Sequence, residues 1–298
     1  MQYDSGRDFW WLLYRPWIAI PRLIQVLWTL SGLVIVLLLR GSSSDADVQR
    51  GLARRILNTL TGLGPCFIKL GQALSTRPDL VRRDWLEELT RLQDDLPAFP
   101  HSIALSRIEQ ELGAPADQLF EEFPSAPIAA ASLGQVYKAR LEGQSWVAVK
   151  VQRPNLTFIL RRDLVLIRAL GVLTAPFLPL NLGFGLGSII DEFGRSLFEE
   201  IDYEQEADNA ERFATLFVDN PAVYVPRVER MLSSTRVLTT TWIEGSKMRN
   251  SQELIDQRLE PAALIRTGVI CGLQQLLEFG YFHADPHPGN LFALQGRS

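Results

Sequence analysis

Three short segments in a fixed order constrain this chain more than any other feature. Residues 129–136 (AAASLGQV) are small, residues 147–150 (VAVK) form an apolar run ending in Lys150, and residues 283–290 (HADPHPGN) follow far downstream. Small residues let the backbone approach phosphates, and a lysine neutralises them. On one loop, an Asp can meet the phosphoryl acceptor or a metal, and an Asn can bind Mg²⁺. The three segments therefore predict a phosphoryl-transfer site.

This order of segments is that of the protein-kinase fold. Residues 136–141 and 146–151 are rich in β-branched and apolar side chains and flank a Glu-Gly-Gln turn, so they predict a β-hairpin. Two further strands are predicted over 223–231 and 236–242. We therefore predict an α+β fold: a kinase-like small lobe, with an antiparallel sheet plus helices, after an N-terminal helical extension and before the start of a large lobe.

Breaks and composition shifts divide the chain into four predicted parts. These are an apolar and aromatic segment (1–44), a helical extension (45–113), a kinase-like small lobe (114–245) and the beginning of a large lobe with its catalytic loop (246–298). Within them, apolar periodicity and stop signals predict helices over 47–61, from Pro65, and over 85–92, 102–112, 155–173, 188–217 and 261–279. The acidic helix over 188–217 is predicted to break near Asp202.

The N-terminal segment carries an uncharged apolar run over residues 23–39. Seventeen residues would reach about 25 Å as a helix, the lower limit for crossing a bilayer. Tryptophans and arginines flank the run, as they do at membrane interfaces. We predict a transmembrane or deeply inserted helix. An interfacial helix and a hairpin packed on the protein's own surface are the alternatives.

Bulk composition excludes several functions. The net charge of −4 gives no reason to expect a nucleic-acid partner. Two cysteines, Cys66 and Cys271, make neither a disulfide framework nor a zinc site, so a reducing compartment is predicted. His283 and His287 have a spacing that serves zinc only on a helix, and the prolines between and after them prevent one.

Lys150 is the predicted phosphate-binding lysine. A lysine in this position needs an acidic partner, because an unpaired charge near the interior is costly. The helix that follows offers five carboxylates: Glu199, Glu200, Asp202, Glu204 and Glu206. Asp202 and Glu206 would share one face if the helix is continuous. The residues alone leave the choice of partner open.

Taken together, these segments resemble the UbiB/AarF/ADCK atypical kinase family. The K-x-G-Q signature of that family matches residues 69–72, inside FIKLGQALSTRPDLV. Its E-x-D element matches residues 200–202, and its catalytic segment matches residues 283–290. The resemblance runs from about residue 47 to residue 294.

The resemblance implies a kinase-like fold that binds ATP and Mg²⁺. It implies that Lys69 and Gln72 reach toward the nucleotide and the E-x-D carboxylates, and that Glu206 pairs with Lys150. Asp285 and Lys150 would be catalytic, and Asn290 and Asp202 would bind the metal. The implied cofactor-binding residues are Ala129, Ala130, Ala131, Ser132, Gly134, Gln135, Val136, Lys150, Glu206, Lys69, Gln72, Glu200 and Asp202.

The resemblance further implies an atypical kinase or ATPase that supports prenylquinone (ubiquinone- or plastoquinone-type) lipid biosynthesis at a membrane, with its catalytic part on the cytoplasmic side. Its implied partners are membrane lipid, prenylquinones or their precursors, and quinone-biosynthesis enzymes. A catalytically silent membrane-bound scaffold is the alternative. The metal-binding D-F-G segment of the family does not occur before Ser298, so we expect a fragment of a longer protein.

Overall fold

The fold is seen in a computed structural model of the whole chain. It describes residues 3–77, 81–90, 92, 97–143, 145–177, 185–248, 251–256, 259–283 and 291–294. The predicted site residues Asp285 and Asn290 lie outside these residues.

Helices make up the N-terminal part of the chain. They are α1 (Ser5–Leu13), α2 (Pro16–Arg40), α3 (Ala46–Leu63), α4 (Pro65–Ser75), α5 (Arg83–Thr90), α6 (His101–Leu112) and α7 (Ala116–Leu119). Pro16 and Pro65 begin their helices because the first helical position needs no N–H donor. Asp45 caps α3 by accepting a hydrogen bond from the Asp47 backbone N–H.

A four-stranded antiparallel sheet follows. Its order is β1 (Ala129–Ala130), β2 (Gly134–Arg140), β3 (Trp146–Gln152) and β4 (Val237–Thr241). Val136 of β2 faces Lys150 of β3, which in turn faces Leu238 of β4. The predicted hairpin is therefore confirmed. The strand predicted over 223–231 is wrong, because only Val228 makes a bridge, to Thr240.

Among the described residues, three α-helices lie between β3 and β4. They are α8 (Leu156–Thr174), α9 (Leu186–Glu200) and α10 (Tyr203–Leu216), so the predicted break near Asp202 is confirmed. Asp202 caps α10 and accepts a hydrogen bond from Gln205 N–H. Because of this break, Asp202 and Glu206 do not share the face of one continuous helix.

The C-terminal part comprises β5 (Ser246–Lys247), α11 (Ser251–Asp256), α12 (Pro261–Gln274) and β6 (Phe292–Ala293), with β5 pairing β6. A π-helical turn over Gln275–Phe279 continues α12 and ends at Gly280 in a left-handed conformation. The Gln275 side chain accepts a hydrogen bond from His283 N–H. This hydrogen bond holds His283, the first residue of the predicted catalytic segment, against the π-helical turn.

The largest hydrophobic core joins the helical extension to the kinase-like lobe. It contains Val26 of α2, Phe67 of α4, Leu164 of α8 and Phe198 of α9. A second core lies under the sheet and includes Tyr137 and Val149. The apolar N-terminal segment is thus packed against the rest of the molecule.

Buried ion pairs fix this segment to α8, and we call them the N-terminal clamp. The Arg22 guanidinium donates to both carboxylate oxygens of Asp163, at 3.0 and 2.7 Å, and also to the Leu63 carbonyl. The Oδ1 atom of Asp8 in α1 lies 2.9 Å from the Nε atom of Arg161 in α8. Asp8 and Asp163 are both fully buried. Burial raises the pKa of Asp8, and the nearby Arg161 opposes that shift.

Candidate functional site

The alanine-rich segment is a tight turn between two strands. Ala129 and Ala130 pair with Val136 and Gln135, so the turn itself covers only residues 131–133. It is closed by a hydrogen bond from Ala131 N–H to the Gly134 carbonyl. The predicted phosphate loop is thus shorter than the eight residues that the sequence suggested, because five of the predicted residues pair between strands.

Gly134 is required by close packing at this turn. A Cβ on Gly134 would lie 2.7 Å from both the Tyr203 hydroxyl and the Val151 carbonyl. The Gly134 backbone therefore sits directly on β3 and the first turn of α10. This contact ties the turn to the helix that carries Glu206.

Lys150 and Glu206 form the central ion pair. The Lys150 Nζ donates to both Glu206 carboxylate oxygens, at 2.9 and 2.7 Å. Both side chains remain about one-third exposed, so the pair is open to a ligand. Burial alone would lower the pKa of Lys150, but the Glu206 carboxylate outweighs burial and raises it. The Glu206 carboxylate therefore stabilises the charged form of Lys150.

Tyr203 is a site residue that the sequence analysis missed. Its ring lies under the Lys150 ammonium, 4.6 Å from ring centroid to Nζ, in a cation–π contact. The side chain is fully buried, and its hydroxyl has no hydrogen-bond partner among the described residues. Burial raises the pKa of Tyr203 well above its usual range. Its position directly after the E-x-D residues was the available signal.

Lys69 pairs with Glu200. Its ammonium contacts the Glu200 carboxylate at the end of α9, which is one of the two partners that the family pattern implied. Glu200 also contributes to the raised pKa of Lys150, so the two lysines act on one electrostatic region. The contact ties the K-x-G-Q helix α4 to the helix break that positions α10.

Two other predicted residues are engaged elsewhere. The Gln72 amide donates to the Leu92 carbonyl at 2.7 Å. The Gln135 side chain is buried, accepting from Phe99 N–H and donating to the Tyr137 hydroxyl. Both side chains are thus used in hydrogen bonds within the protein. Gln135 contributes to the turn only through its backbone, which pairs with Ala130.

The arrangement at Lys150 fits the phosphates of a nucleotide. The Lys150 ammonium, held by Glu206, lies on the strand that pairs with the one following the turn, and this suits polyphosphate oxygens. Among the described residues no three His, Cys, Asp or Glu side chains gather into a metal site. Asp202 is present at the helix break, whereas Asn290 and Asp285 fall outside the described residues.

The sheet, the lysine–glutamate pair and the small-residue turn define a protein-kinase-like small lobe. The family model described as "ABC1 atypical kinase-like domain" matches residues 91–297. The chain therefore belongs to the ABC1 atypical kinase family, which includes aarF domain-containing kinases, as the sequence predicted.

Relatives of known sequence agree with this assignment. The uncharacterized protein slr1919 of Synechocystis sp. is 50% identical over 95% of this chain and 50% of its own length. Protein ACTIVITY OF BC1 COMPLEX KINASE 1, chloroplastic, of Arabidopsis thaliana is 44% identical over 93% of this chain and 41% of its own. The chain thus spans about half the length of these relatives.

One solved structure shares the fold. Rv3197 of Mycobacterium tuberculosis, solved in a complex with erythromycin, matches with a TM-score of 0.52 and 32% identity. The match covers 76% of this chain and 56% of that one. It supports a kinase-like fold.

Proposed function

We propose that the protein to which this chain belongs binds Mg-ATP and transfers or hydrolyses its γ-phosphoryl group. The observation that carries this proposal is the Lys150–Glu206 pair beside the turn over residues 131–133. When bound, Mg-ATP supplies the phosphoryl group. Lys150 would hold phosphate oxygens, Glu206 would keep its ammonium in place, and the turn would let the backbone approach the phosphates.

The proposed setting is prenylquinone lipid metabolism at a membrane. This part rests on the family resemblance and on the apolar helix α2, which is long and apolar enough to cross a bilayer by length and composition alone. Prenylquinones or their precursors, and the enzymes that make them, are the proposed partners.

Nucleotide binding can be tested on this chain directly. We would measure the melting temperature with and without Mg-ATP for the wild type, Lys150→Met and the control Lys138→Met. Lys138 is a β2 lysine that packs against Trp146 and Trp242. A ligand at 100 times its Kd stabilises the folded state by about 2.7 kcal/mol. We expect this stabilisation in the wild type and the control, and its loss in Lys150→Met.

Two outcomes would overturn parts of the proposal. If Mg-ATP stabilises none of the three proteins, the Lys150–Glu206 region of this chain does not bind the nucleotide by itself, and the same measurement on the full-length protein then decides between an ATP-binding enzyme and a silent scaffold. The lipid part is tested separately, by measuring ATP hydrolysis by the full-length protein in vesicles with and without a prenylquinone. Equal rates in both kinds of vesicle would remove prenylquinones from the proposal and leave nucleotide binding standing.

A further inference from the structure

The outward face of α2 is a long uncovered apolar surface. Its side chains recur at helical spacing and are all exposed: Trp17, Ile20, Ile24, Leu27, Trp28, Val34, Ile35, Leu38 and Leu39. Trp28 and Leu38 keep about 80% of their surface, at 81% and 79%. Helix α1 adds Phe9, Trp10, Leu13 and Tyr14. A helix this apolar requires a cover on both sides.

The opposite face of α2 is already covered by the protein. Arg22, Val26 and Leu33 are buried, and Val26 belongs to the largest core. Arg22 is held by Asp163 of α8 and by the Leu63 carbonyl at the end of α3. The helix is therefore a fixed part of the domain with one free face.

Helix α3 runs antiparallel along α2. At one end Arg22 contacts Leu63, and at the other end the Gln49 amide donates to the Gly41 and Ser43 carbonyls. Helix α3 carries the exposed arginines Arg50, Arg54 and Arg55. If α2 crossed a bilayer, α3 would be drawn into the hydrocarbon with these charges, which is strongly unfavourable.

We infer that α1 and α2 dock the protein onto a phospholipid bilayer with α2 lying in the plane of one leaflet. The outward face would enter the boundary between headgroups and acyl chains, as amphipathic surface helices do. Lipid is favoured over a second protein chain because four exposed Trp and Tyr side chains, at positions 10, 14, 17 and 28, cluster on this surface. Such residues gather at membrane interfaces. The inference refines the membrane setting of the proposed function and does not depend on ATP binding.

The orientation is tested by labelling the full chain in sealed vesicles with a membrane-impermeant maleimide. Gly6→Cys and Ser42→Cys place thiols before and after α2, in a protein whose Cys271 is replaced by serine. Cys66 stays, because it is fully buried. We expect both thiols to be labelled from the same side. Labelling from opposite sides would show that α2 spans the bilayer and would overturn the inference.

The docking face is tested by binding to phosphatidylcholine–phosphatidylglycerol vesicles. The variant Ile24→Glu with Leu27→Glu changes two exposed residues of α2, and the control Val218→Glu with Met231→Glu makes the same changes at exposed apolar residues elsewhere. We expect vesicle binding to fall at least tenfold in the first variant and to stay unchanged in the control, with equal melting temperatures in detergent. If the first variant instead separates a dimer and binds vesicles normally, the face belongs to a second copy and the inference fails. If binding is unchanged and no dimer exists, it fails as well.

Discussion

The N-terminal clamp and the ion pairs of the candidate site use the same chemistry in opposite environments; we call the region around Lys150–Glu206 and Lys69–Glu200 the cleft. In the clamp, the Arg22 and Asp163 side chains are 9% and 0% exposed. In the cleft, Lys150 and Glu206 are 33% and 39% exposed. A buried pair cannot open without leaving a charge in a poor solvent, whereas an exposed pair can exchange a partner for water or phosphate. The clamp therefore holds the fold, and the cleft pairs are free to take part in binding.

The largest expected effect is on the clamp. Arg22→Met leaves Asp163 with one remaining hydrogen-bond partner among the described residues, Arg162, whose Nε donates to it at 2.8 Å. We expect the free energy of unfolding to fall by roughly 3 kcal/mol, the lower end for breaking a buried pair. Urea unfolding measures it, with Arg40→Met at the exposed end of α2 as the control. Equal losses of unfolding free energy in the two variants would show that the buried clamp contributes no more to stability than an exposed arginine does.

The next effect concerns the contact between the turn and α10. In Gly134→Ala the new Cβ would meet the Val151 carbonyl, which the paired strand holds in place. We expect a loss of about 1–3 kcal/mol from overpacking. The control Gly51→Ala lies in α3 with nothing within 4 Å and should gain up to about 1 kcal/mol. A neutral Gly134→Ala would mean that the turn moves independently of α10.

A smaller effect of opposite sign is expected at Tyr203. Because its buried hydroxyl has no partner among the described residues, Tyr203→Phe should raise the free energy of unfolding by about 1 kcal/mol. Tyr137→Phe is the matched control, since the Tyr137 hydroxyl accepts from Gln135 at 2.6 Å and its loss should cost about 1 kcal/mol. Chemical denaturation compares them. Destabilisation by Tyr203→Phe would reveal a hydrogen bond that holds the cleft together.

The smallest effect on stability is expected in the cleft itself. Lys69→Ala should change the free energy of unfolding by less than about 1 kcal/mol, because Glu200 is 44% exposed and can be solvated. The freed Glu200 would then compete with phosphate for Lys150, so ATP affinity should fall by roughly three- to tenfold. Titration calorimetry with Mg-ATP measures this, with Lys138→Ala as the control. Matching affinities would remove Lys69 from the site.

Local patterns predicted the elements that carry the site: strand alternation and a Gly turn predicted the hairpin that presents Lys150, and the acidic helix was predicted to break near Asp202. The pairing of Lys150 with Glu206 was implied only by the family resemblance, because the residues alone left five carboxylates as candidates. The strand over 223–231 failed because β-branched residues there lie in an irregular segment that makes only one bridge. The clamp could not be predicted, because Arg22 and Asp163 are 141 positions apart and nothing in the local sequence couples them. Tyr203 was missed because an orphan hydroxyl depends on its neighbours in space.

The 141 positions between Arg22 and Asp163 also determine when, during translation, their ion pair can form. At about 5–20 residues per second, roughly 7–28 s pass between the synthesis of the two residues. An isolated helix forms in microseconds or less. Helix α2 is therefore synthesised well before α8, whose Asp163 pairs with Arg22. The N-terminal clamp can form only after α8 has been synthesised.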